Sequence, residues 1–113
     1  MFVAPTNTIG FNSAGEQTNP TTATVLATTG SKPHGRYICW VTISSTVAAQ
    51  FDVQHRNAAD GGNIEVATVY VPLNDSRQYV FGFVLEADER VRIVPNANIT
   101  GDAVAVINWQ RIS

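Results

Sequence analysis

At 113 residues the chain has room for one domain built around one hydrophobic core. Its residues are 44% hydrophobic and only 14% charged, against roughly 25% charged in an average soluble domain, so Thr, Asn, Ser and Gln must solvate the surface. A net charge of -2 supplies no basic footprint for phosphate backbones or anionic lipid, which argues against a nucleic-acid or membrane partner.

Residues 1 to 22 are rich in Thr, Asn, Gly and Pro, with Phe2, Val3, Ile9 and Phe11 scattered among them and no sustained period of 2 or 3.6. That texture predicts an extended arm over 1-22, distinct from a folded domain over 23-113. The opening "MFVAPTNTIGFNSAG" has neither a basic n-region nor a continuous apolar h-region, and no later run approaches the roughly 20 apolar residues of a membrane-spanning helix. The expectation is a soluble, unexported protein. The matches to the glycosylation sequon, "NDS" and "NIT", are read as turns for the same reason.

From Ala23 onward β-branched and aromatic runs are punctuated by Gly, Pro, Asn and Asp. They predict strands near 23-28, 35-45, 47-56, 64-71, 77-85, 89-95 and 102-112. Between them, "TGSKPHG", "ADGGN", "PLNDS" and "PNANITGD" hold residues that accept positive φ or fix φ near proline's value. Short strands, regular turns and no helical stripe predict an all-β antiparallel jelly-roll sandwich, which in complete form has about eight strands.

Strand faces carry the next inference. Val47, Ala49, Phe51 and Val53 alternate with Gln50, Asp52, Gln54 and Arg56, the pattern of a strand with one wet face. Elsewhere both faces are apolar: Tyr37, Cys39, Val41 and Ile43 oppose Ile38 and Trp40; Tyr79, Phe81, Phe83 and Leu85 oppose Val80 and Val84; Ala103, Ala105 and Ile107 oppose Val104 and Val106. A sandwich of this size has too little spare chain to cover an outer face with helices. Another subunit is the expected cover, the alternative being long loops or the N-terminal arm folded back over the sheet, and Ile38, Trp40, Val80, Val84, Val104 and Val106 are the expected subunit interface.

No catalytic, cofactor-binding or metal-ligating set is predicted. His55 lies in register with Phe51 and Val53 and lacks a recognisable nucleophile or carboxylate partner, so it is read as the end of a core strand. His34 sits in the turn "KPHG", and the spacing of the two histidines is not that of metal ligands. Cys39 is the sole cysteine, so there is no internal disulfide, and its mid-strand setting predicts an inert buried thiol. "EADE" and the Asn96, Asn98 and Asp102 group lack the ligand order of a calcium loop and read as turns. "DGGN" runs into a strand rather than a helix, which excludes a phosphate cradle. Arg90 and Arg92 share one face and are available to carboxylates of a neighbouring protein or to solvent.

The order "QHRNA", a polar hairpin tip, "VPLNDS", "ADERVRI" and "NANITG" before a closing strand, over the last two thirds of the chain, resembles the jelly-roll head decoration or cement proteins of bacteriophages. The resemblance implies a homotrimer on the outer surface of the virion capsid, made in the host cytoplasm, with the major capsid protein as partner and mechanical reinforcement as its role. It also implies a capsid-contact function for the arm, with Phe2, Val3, Ile9 and Phe11 as anchors. Related folds occur on tailspikes and fibres, so the alternative is a tail, baseplate or fibre module that binds a receptor or carbohydrate. Against the sugar-binding alternative, Trp40 and Trp109 fall inside strands rather than at loop tips.

Overall fold

A computed structural model describes residues 9–56 and 63–113. Phe2 and Val3 lie outside the described residues, as does most of the "ADGGN" tip. Nine strands and no helix are found among the described residues: β1 (Ile9–Asn12), β2 (Gln17–Thr18), β3 (Ala27–Thr28), β4 (Gly35–Ser45), β5 (Ala49–Arg56), β6 (Asn63–Val71), β7 (Asp75–Leu85), β8 (Arg90–Pro95) and β9 (Asp102–Arg111). They form two antiparallel sheets, the first ordered β1-β9-β4-β7 with β2 also on β9, the second ordered β3-β8-β5-β6.

Six of the seven runs expected from the sequence appear within two residues of their bounds. The seventh, 23-28, shrinks to the pair Ala27–Thr28. Thr21 to Thr24 closes a turn instead: the Thr24 amide donates to the Thr21 carbonyl at 2.9 Å, and the Thr21 amide donates to Thr24 Oγ1 at 3.0 Å. Such local hydroxyl bonds compete with strand pairing.

The larger difference concerns the arm. Ile9 lies opposite Gln110 and Gln17 opposite Ala103, so residues 9 to 18 complete the first sheet along β9. Strands of two and four residues carry too little alternation to be seen in a sequence, and β9 supplies the unpaired edge that recruits them. Gly10 is needed for that fit. A Cβ there would stand 2.4 Å from Trp109 Cζ2, so only glycine lets β1 lie over the buried indole.

Alternation places the core between the sheets. Tyr37, Cys39, Val41 and Ile43 of β4 and Ala103, Ala105 and Ile107 of β9 face Phe51 and Val53 of β5 and Val91 and Ile93 of β8, all fully or nearly fully buried. Burial of each large member contributes about 1.5–3 kcal/mol. At the turns, Asn74 and Asp88 adopt left-handed φ values of 51° and 67°, which their short polar side chains tolerate. Gly101, at φ 148°, brings the β8–β9 connection against Thr46, where a Cβ would meet Oγ1 at 2.8 Å.

Candidate functional site: the outer face of the first sheet

All six residues expected at a subunit interface project from one surface, the outer face of the first sheet. The registers set them out in rows. Trp40 of β4 stands between Val80 of β7 and Asn108 of β9, and Asn108 in turn lies opposite Phe11 of β1. One row along, Ile38 stands between Gly82 and Gln110, with Ile9 beyond Gln110. Val106 lies opposite Thr42, Val104 opposite Ser44, and Val84 opposite Arg36.

Exposure separates these residues from the core. Val80 and Val84 are 59% and 58% exposed, while Ile38, Trp40, Val104 and Val106 are half-buried by their neighbours. Ile9 and Phe11 are each 72% exposed at the same sheet's edge, so the described anchors of the arm extend this face rather than standing apart from it. The polar residues interspersed among them, Thr42, Ser44, Gln78 and Asn108, are uncharged, and the one cation in these rows among the described residues, Arg36, stands at the end of the face beside Val84. Desolvating such a surface costs far less than desolvating ions.

The titratable groups singled out in the sequence have structural contacts. His55 lies edge-on to Phe83 with ring centroids 6.5 Å apart, and its Nε2 stands 3.0 Å from Glu89 Oε1. The contact is close, but Nε2 makes no hydrogen bond of aligned geometry. Glu89 Oε1 also accepts the Glu86 amide at 2.6 Å, so "EADE" is a turn clipped by its own last carboxylate. Burial pushes the Cys39 thiol up to about 12, which keeps it protonated and unreactive. His34 is exposed, with Nε2 3.7 Å from Glu86 Oε2. On the second sheet Arg92 donates to Gln54 and Arg90 to Ser31.

The Glu86 amide above all holds the Glu89 carboxyl below its ordinary range; desolvation opposes it, and His55 adds smaller lowering contributions. A carboxyl whose folded pKa is depressed contributes stability in full above its unfolded value, about 4.3, and loses it as pH falls through the folded value. Between about pH 6 and pH 3, the melting temperature of Glu89→Gln is therefore expected to fall less than that of the parent. The difference should be a few degrees at most, because a partly solvated pair is screened. Parallel curves would show that the clip adds nothing to acid stability.

Sequence reasoning passed over one surface feature, Tyr70. It lies 52% exposed beside a cleft formed by residues 47–50 and 96–100. Sequence analysis assigned 64-71 as a strand without assigning its faces, and the buried Val69 and Val71 on either side of Tyr70 show that its ring lies on the opposite, outer face.

No protein-family model and no curated protein sequence matches the chain. Solved structures do match. The globular domain of zebrafish complement 1qA protein superposes with a TM-score of 0.61 at 14% identity, covering 96% of this chain and 98% of that one. Eiger TNF from S. frugiperda gives 0.66 at 11% identity, with 96% and 94% covered. A family 29 carbohydrate-binding module, CBM29-2, gives 0.54 at 14% identity, with 96% and 92% covered. Identities this low speak to the fold alone, and the fold is a jelly roll.

Proposed function

We propose that this chain is a structural protein without catalytic activity that assembles as a homotrimer through the outer face of its first sheet and decorates the outside of a bacteriophage head, with the major capsid protein as its partner. The observation that carries the self-association is the grouping of Ile38, Trp40, Val80, Val84, Val104 and Val106 on one surface, continued by Ile9 and Phe11. Exposed apolar side chains gathered on one surface mark an interface, and the polar residues between them are mostly neutral, with Arg36 at one end, which lowers the cost of burying it. Three-fold closure and the capsid location come from the resemblance to decoration proteins.

The same reading gives β1 two roles. Its backbone completes the sheet along β9, while Ile9 and Phe11 present side chains outward at the rim. Trivalent display would multiply modest contacts at each arm into firm attachment. Purified phage heads lacking their decoration protein, incubated with the intact chain and sedimented, are expected to carry it down saturably and to rupture at a higher temperature. Failure to cosediment would overturn the head assignment in favour of a tail, baseplate or fibre module.

A further inference from the structure

We infer that the cleft beside Tyr70 binds a neutral saccharide, with the tyrosine ring as its stacking platform. This inference is independent of the head-decoration reading, because the cleft belongs to the second sheet and to loops at one end of the sandwich. The cleft, about 360 Å³, is bounded by the β4–β5 connection, the end of β6 and the β8–β9 connection. That places it at the small end of the range for ligand sites, about 300–1,000 Å³, suited to a short stretch of sugar rather than a long chain.

The lining has the chemistry a sugar ring requires. Tyr70 offers an exposed aromatic face for the apolar C–H side of a pyranose. Gln50 lies directly opposite it in the β5–β6 register, and Asn96, Asn98 and Thr100 stand across the cleft. Side-chain amides pair a donor with an acceptor at a spacing that matches vicinal hydroxyls. No lysine, arginine, histidine, aspartate or glutamate lines the cleft among the described residues, which disfavours a charged ligand.

The polar groups are held in place. Asp52 Oδ1, on a side chain nearly out of water, accepts from Asn96 Nδ2 and from Thr68 Oγ1, both at 3.0 Å. The Asn96 amide donates to the Gln50 carbonyl at 3.0 Å, tying the two sides of the cleft together. Tyr70 is fixed from below, where the Tyr79 hydroxyl donates to its carbonyl at 2.6 Å. Asp52 thus ties the Asn96 side chain to the β5–β6 pair, so that the amide facing the cleft is preorganised rather than free to rotate. A larger cleft near Ser44, Asn74 and Asp102 has no such platform.

The test is a two-dimensional amide NMR titration of the intact protein with maltohexaose, cellohexaose and chitohexaose, each to about 10 mM, a concentration that saturates even millimolar sites. At least one of the three is expected to shift the Tyr70 backbone amide and the side-chain amides of Gln50, Asn96 and Asn98. Tyr70→Ala should weaken that binding at least about tenfold, equivalent to about 1.4 kcal/mol, while Tyr70→Phe stays within about twofold because the ring face is kept. Asn96→Ala, which leaves the ring in place, should weaken it as well, and the dispersed spectrum of each variant reports its fold directly. Absence of shifts at these residues with all three sugars, or equal binding by Tyr70→Ala, would overturn the assignment. Binding or failure to bind heads leaves this result unchanged.

Discussion

Replacing Val80 and Val106 together by aspartate is expected to convert the proposed homotrimer into folded protomers. Both side chains leave the outer face of the first sheet, Val80 opposite Trp40 and Val106 opposite Thr42, and neither belongs to the core between the sheets. A carboxylate driven into an apolar interface without a partner costs several kcal/mol. Two per protomer should weaken association at least about a hundredfold, or about 2.7 kcal/mol. Sedimentation velocity should show the loss of the large species with an unchanged β-sheet circular dichroism spectrum. Val41→Asp provides the contrast, since Val41 is fully buried between the sheets and its replacement should abolish folding. A Val80→Asp, Val106→Asp protein that keeps its parent's mass and melting temperature would mean that this face stays wet and that subunits meet elsewhere.

Removing residues 1 to 22 is expected to be far more damaging than removal of a free arm would be. The truncation strips β1 and β2 from β9 and deletes the bonds from the Ala14 amide to Leu26, from the Asn19 amide to Gly101 and from the Ile99 amide to Pro20. It also uncovers Trp109, against which Gly10 packs. A chain starting at Ala23 should melt at least about 10 °C lower, since in a domain near this size each kcal/mol corresponds to roughly 4 °C, and its bare β9 edge should promote aggregation. The double substitution Ile9→Ser, Phe11→Ser keeps the backbone ladder and is expected to leave melting within a few degrees while sharply lowering head binding. If the truncated chain instead melts like the parent, the pairing of β1 and β2 with β9 contributes nothing. If the double substitution binds heads undiminished, the body of the sandwich carries the contact.

What the sequence disclosed, and what it hid, follows from the length scale of each signal. In β4 the alternation of Tyr37, Cys39, Val41 and Ile43 against Ile38 and Trp40 spans seven of the strand's eleven residues, long enough to assign both faces from the sequence. β7 and β9 are of similar length, so the shared outer face was legible strand by strand; its continuity across strands depends on register and was not. β1 and β2, which fall within the segment read as an extended arm, were not legible because a two-residue or four-residue strand has no period and its partner lies some ninety residues away. His55 was legible as a core-strand end, but its contact with Glu89 joins two strands and required the fold. The Tyr70 cleft draws on segments 47–50, 70 and 96–100, which no local pattern connects. The pairing of β6 with β5 also slips near Val53, so alternation counted from the start of β6 does not carry reliably along the whole ladder.

Light scattering coupled to size-exclusion chromatography of the intact chain tests most directly whether the outer face of the first sheet is a subunit interface. At micromolar concentration the mass is expected to be three times the 12.2 kDa protomer. A single monodisperse peak at 12.2 kDa would contradict it.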